Sequence, residues 1–166
     1  LSLNDTFWVK QVDSPLTWAD VSLYRNPFNA VISEAAFDGS IRSSGFSSTS
    51  PEFTTDGQYA KCWVRENGTI QLCKSGGLFG LEPLSEYLAS QLAACLCPES
   101  VRYDLGFYHG ALVSKCPLFT SEQYGLAKAA VFTKDRTVSG FLRFFESIGS
   151  GDAFRRMCIL DALILN

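Results

Sequence analysis

The chain has 166 residues, 46% of them hydrophobic and 19% charged, enough apolar material for one globular domain or two small lobes and too little charge for a disordered chain. A net charge of −3 with a pI near 5.1 argues against a nucleic-acid surface. No uninterrupted apolar stretch approaches the ~20 residues that a membrane helix needs.

In chain order, "LSLNDTFWVK" (residues 1–10) reads as a strand and "SPLTWADVSLY" as a short capped helix or turn, followed by "NPFNAVISEAAF". The Ser/Gly-rich "DGSIRSSGFSSTSPE" is loop: either a linker, which its composition favours, or a flexible edge over a ligand site. From Thr54 the pattern turns β. "QYAKCWVRE" and "TIQLCK" alternate around Asn67-Gly68, a two-residue type I′ hairpin signal. After the glycine-laden turn "SGGLFGLE", Pro83 opens a helix, "PLSEYLASQLAACL", that ends near Cys97-Pro98. "ESVRYDLGFYHGALVSKCPLFT" supplies further strands punctuated by Gly106 and Gly110, and "SEQYGLAKAAVF" fits loop or helix equally. "TVSGFLRFFESIGSG" is a short helix stopped at Gly149 to Gly151, and "DAFRRMCILDALILN" is a last helix with Asp152 as its N-cap. Strands first and helices later indicate an α+β fold. Both chain ends read as cuts through structured sequence, so the chain reads as a portion of something longer.

The six cysteines are scattered apart from the pair Cys95 and Cys97, and the single histidine, His109, leaves too few ligands for a zinc site. Most lie in apolar segments, where a thiol acts as a small hydrophobe. Reduced thiols of a cytoplasmic protein fit them better than disulfides.

With Asn67-Gly68 as the loop, Glu66 pairs with Thr69, Arg65 with Ile70, Trp63 with Leu72, and Lys61 with Lys74. Alternation puts both lysines on the face of Trp63, Leu72 and Ile70. Like charges directly opposite weaken a sheet by up to ~1 kcal/mol. Either both ammonium groups snorkel to water at the open end of the hairpin, or they share an anion, with phosphate the natural candidate.

On the following helix Leu84, Leu88, Leu92 and Cys95 form an apolar stripe. Ala89 and Ala93 form a small-residue face that includes Glu86 and permits close approach to a sheet. A carboxylate held there needs a cation, and Lys74 is the available one. The alternative leaves Glu86 as an exposed first-turn acid favoured by the helix dipole. Spacing alone does not separate the two.

A strand lysine followed by a helix glutamate is the core of a protein-kinase small lobe. The stretches "SPEFTTDGQYAKCW", "GTIQLCKSGG", "EPLSEYLASQLA", "KCPLFTSEQ" and "MCILDALILN", in that order, resemble the HipA-like serine/threonine kinases, most of all the compact CtkA-type members. The resemblance runs over about residues 1–166. It implies a kinase-like small lobe, an antiparallel sheet plus a helix, within residues 1–115, which include a family-specific N-terminal extension. Residues 116–166 would be the hinge and the first helices of a helical large lobe. It implies ATP and Mg2+ as cofactors and a serine- or threonine-bearing protein as substrate.

By the same resemblance Thr54, Thr55, Asp56, Gly57 and Gln58 match the phosphate-covering loop after Ser50. Lys74 matches the lysine that meets the nucleotide's phosphates, and Glu86 the residue that orients it. Cys116, Pro117, Leu118 and Phe119 fall where the hinge meets adenine through backbone groups. Lys61 is added as a phosphate contact from hairpin geometry alone. The loop has one glycine and departs from a Walker A pattern. In the family the segment like "DALILN" leads into an Asp-Arg-His motif with the catalytic aspartate, and a magnesium-binding aspartate lies further on. The chain stops before both, and Asp161 reads as structural. The expectation is a nucleotide-binding part that is inactive by itself.

Related family members act as bacterial toxins, which implies an antitoxin-like or regulatory protein as a partner. The competing reading is a non-catalytic kinase-like module that grips a nucleotide or partner within a toxin–antitoxin or transcription-factor assembly. A thiol enzyme built on Cys95 or Cys97 with His109 is set aside, because Tyr103, Phe107 and Tyr108 around the histidine fit strand packing and a nucleophile needs a placed base.

Overall fold

Two left-handed residue pairs shape the sheet. Asn67 and Gly68 have φ of 51° and 81°, and His109 and Gly110 have φ of 47° and 78°, so each pair makes a two-residue turn of the kind that matches strand twist. The structure is a computed structural model that describes residues 8–39, 59–126 and 129–165, with side chains through residue 159. The first turn joins β1 (Lys61–Glu66) to β2 (Thr69–Ser75), and the second joins β3 (Asp104–Tyr108) to β4 (Ala111–Pro117). The fold is α+β, with a four-stranded antiparallel sheet in the order β1-β2-β4-β3.

Ahead of the sheet stand α1 (Trp18–Val21) and α2 (Ala30–Asp38). The Thr17 amide donates to Asp20 at 2.6 Å to start α1. The Asn29 side chain accepts from Val31 N–H to start α2, and Gly39 at φ 69° ends it. The segment "NPFNAVISEAAF", unassigned from sequence, therefore holds a helix. The expected strand at residues 1–10 lies outside the described residues through residue 7, and residues 8–10 form no strand.

Strand alternation gives the sheet two covered faces. On one, Cys62, Val64, Cys73 and Val113 close against Phe37 of α2, whose ring meets Tyr108 edge-on at 5.0 Å. On the other, Trp63 and Ile70 pack with Leu23, flanked by Phe28, Leu72 and Leu118. All six cysteines are free thiols, and Cys62 and Cys73 are cross-strand partners.

The second face also receives α3 (Glu82–Leu96), which begins one residue before Pro83 and packs on β2, β3 and β4. Its stripe is turned the other way from the usual amphipathic arrangement. Leu84, Leu88 and Leu92 are 40%, 52% and 53% exposed and Cys95 is exposed, while Pro83 and Ser90 are buried. Small residues and Glu86 face the sheet, as a close approach requires.

Gly106 does not punctuate; it sits inside β3, where a Cβ would come 3.1 Å from Lys115 Cε, so its absence makes room for the lysine stem. Beyond β4 the described residues include a short 3₁₀ turn, Ala129–Val131. α4 (Val138–Ser147) is capped by Thr137, which accepts from Gly140 N–H. α5 (Gly151–Leu165) starts at Gly151, so Asp152 lies in its first turn, paired with Arg155, and is not the N-cap. Phe145 and Phe154 stack at 4.8 Å to bind the two helices together. Among the described residues no helix is long and apolar enough to cross a membrane.

Candidate functional site

The β1–β2 register places Lys61 directly opposite Lys74, in the numbering that the Asn67-Gly68 turn requires. From there α3 decides the geometry. Lys74 Nζ pairs with Glu86 Oε1, and Glu86 Oε2 accepts from the Ser114 hydroxyl. Ser114 is the β4 partner of Lys74, so the carboxylate is held by two adjacent strands. Ser114 is buried, while the Lys74 and Glu86 side chains remain 28% and 25% exposed. The lysine is thus fixed by its partner yet open to an incoming ligand.

Around this pair lies a shell that the motif reading missed. Glu82, at the start of α3, accepts from Gly77 N–H at 2.9 Å. Its own amide and that of Gly77 hold its carboxyl below the usual range, with help from the Tyr59 hydroxyl and the Lys74 charge. Tyr59 donates to Glu82, and this bond raises the phenol's pKa. The glycine turn closes tightly on these groups: a Cβ at Gly77 would stand 2.9 Å from the Tyr59 ring and 3.1 Å from Glu82 Oε1. The signal for Glu82 was an acid four residues before Glu86, hence on the same side of the helix. Ser114 had no comparable signal, since its role follows only from the β2–β4 register.

Behind Glu86, Tyr103 hydrogen-bonds Cys116. Burial raises the phenol's pKa above its ordinary value, assisted by Cys116 and the negative charge of Glu86. Burial likewise raises the Cys116 thiol. Neither group serves as a base at neutral pH; both line an apolar backing to the ion pair.

Cys116 is buried in β4, and Leu118 packs on the Trp63 and Ile70 cluster. The Leu118 amide donates to the Ile70 carbonyl at 2.8 Å, so it holds the sheet edge and a ligand along this segment must meet other backbone groups. Pro117 has no N–H to offer. Phe119 is 42% exposed. Thr54, Thr55, Asp56, Gly57 and Gln58 lie outside the described residues, as does the side chain of Asp161.

The thiol arrangement is not assembled among the described residues. His109 sits in the β3–β4 turn with Nδ1 3.1 Å from Glu34 and its ring against Tyr108. Cys95 instead donates to Gln91 carbonyl, one turn back on α3. Among the described residues no group of three His, Cys, Asp or Glu is placed to hold a metal ion.

Comparison with known proteins found no matching family model, curated protein or solved structure.

Proposed function

We propose that the Lys74–Glu86 pair is the phosphate-engaging end of an ATP site, and that this chain is the nucleotide-binding part of a HipA-like ATP-dependent serine/threonine protein kinase. The observation that carries the reading is the anchored, half-open ion pair between β2 and α3.

A free lysine loses much side-chain entropy on gripping a phosphate. Lys74 has already lost it to Glu86, which in turn is fixed by Ser114. The ammonium therefore stands ready as a point charge where a triphosphate needs neutralising, and little reorganisation accompanies binding. Lys61, its cross-strand partner, adds a second positive charge on the same face. In phosphoryl transfer the protein contributes mainly positioning and charge stabilisation, which is the work this cluster is built for. Magnesium would accompany ATP as the counter-ion of its phosphates. Transfer would go to a serine or threonine hydroxyl of a protein substrate.

Calorimetric titration of the chain with ATP, with and without magnesium, tests the reading. Saturable binding is expected, roughly tenfold or more weaker in Lys74→Ala and partly weakened in Glu86→Gln. Thermal melts of each variant separate lost binding from lost fold. A folded Lys74→Ala protein that binds ATP as the parent does, or a parent that binds none, removes the proposal.

A further inference from the structure

Between the C-terminal half of α3 and the start of α5 lies a cavity of about 380 Å³. Its walls are chiefly apolar, with Leu96, Phe145, Phe154 and Met157 among them, and its volume falls in the range of small-molecule pockets. Three polar side chains, Ser100, Ser150 and Arg156, interrupt the wall. Arg156 donates from Nη1 to the Leu96 carbonyl at 2.9 Å, which pins the guanidinium at the end of α3 and leaves its other donors for a ligand. Among the described residues Arg156 has no carboxylate partner, whereas its neighbour Arg155 pairs with both Glu146 and Asp152. Ser100, also on the wall, has its Oγ buried and without a hydrogen-bond partner. A buried hydroxyl in that condition is unfavourable until a partner arrives, and rotation about its one side-chain bond turns it toward the cavity.

We infer that this cavity is a binding site for a medium-chain fatty carboxylate. The acyl chain lies among the leucine, methionine and phenylalanine side chains and gains from leaving water. The carboxylate takes two parallel N–H bonds from Arg156, the geometry that a guanidinium fork matches best, and Ser100 supplies a further donor. A phosphate-bearing ligand fits less well, because one cation and an apolar wall cannot satisfy a dianion. The cavity is partly open to solvent, and its small volume favours a small molecule over a peptide. None of this depends on the nucleotide reading.

Met157 is the only methionine in the sequence, so a sample labelled at the methionine methyl carbon gives one NMR resonance, located at the cavity wall. Titrating the full chain with decanoate, in the absence of nucleotide, is expected to move that resonance saturably below ~1 mM. Arg156→Gln should weaken decanoate roughly tenfold while leaving decanol unchanged, since the alcohol has no charge for the guanidinium to grip. Ala153→Phe, at an exposed helix position on the cavity wall, should block both ligands. The inference is overturned by a Met157 signal unmoved at that concentration, by equal decanoate affinity in Arg156→Gln, or by unchanged binding in a folded Ala153→Phe protein. Should Ala153→Phe not fold, the decanoate–decanol comparison in Arg156→Gln decides the matter by itself.

Discussion

The buried Ser114 hydroxyl donates to Glu86, so the carboxylate that pairs with Lys74 is anchored from the next strand as well. Deleting that hydroxyl leaves a partly buried carboxylate oxygen without its donor. Ser114→Ala is therefore expected to destabilise the fold by about 1–3 kcal/mol in a urea titration. It should also weaken ATP binding less than Lys74→Ala does, because the ion pair itself survives. A Ser114→Ala protein as stable as the parent would mean that the hydroxyl merely shares space with the carboxylate.

The turn that carries the chain from β2 to α3 is packed as tightly as a core. A Cβ added at Gly76 would lie 2.8 Å from the Gly80 Cα and 2.9 Å from its carbonyl carbon, both backbone atoms that cannot step aside. Gly76→Ala must open the turn and pull Gly77 N–H from Glu82. The expected loss is about 1–3 kcal/mol, the usual range for overpacking, read as a lower denaturation midpoint. The Tyr59 phenol should also titrate closer to its ordinary range, by ultraviolet absorbance, once its bond to Glu82 loosens.

The hairpin register was legible because Asn-Gly admits few turn geometries, and from it alone the Lys61–Lys74 opposition follows. The Lys74–Glu86 pair was legible as one of two readings, since an acid on a small-residue face demands a cation. The orientation of the leucines was not. Periodicity reports that Leu84, Leu88 and Leu92 share a side, but not which side meets the sheet. Here the sheet face beneath α3 bears Lys74 and Ser114, so the helix presents Glu86 and Ser90 to it and turns the leucines outward. The helix over "NAVISEAAF" was hidden by its content, since its buried residues Ser33, Ala35 and Phe37 lie two apart, as on a strand. Glu82 was legible from its i, i+4 spacing to Glu86, but its bond to Gly77 and the approach of Tyr59 come from the close glycine turn, which no local pattern encodes.

That reversed helix gives a direct check. Leu88→Lys and Leu92→Lys place a charge at positions that are about half exposed and leave the sheet side of α3 untouched. Each is expected to change stability by no more than about 0.5 kcal/mol, as surface substitutions generally do. A core leucine replaced by lysine would unfold the domain, so a large loss in either variant would reverse the assigned orientation of α3.

Alkaline pH should act on the sheet's buried thiols and on the half-buried phenols beside them. Burial raises the Cys73 thiol from 9.0 to about 11, and Cys116, Tyr103 and Tyr108 are displaced upward by burial too. In the window from 9.0 to about 11 set by Cys73, the folded chain keeps a proton that the unfolded chain has released. Its contribution is present in full below the lower value and disappears as pH rises through the upper one. Each such proton lowers stability by about 1.4 kcal/mol per pH unit within its window. Thermal melts from pH 8 to pH 11 are expected to show Tm falling from about pH 9 onward, and less steeply in Cys73→Ala, as linkage requires. Thiol labelling at neutral pH gives the independent reading: exposed Cys95 reacts first, while Cys62, Cys73 and Cys116 react only as fast as the sheet opens. Rapid labelling of Cys73 together with a Tm indifferent to pH would show that the sheet does not seal these groups from water.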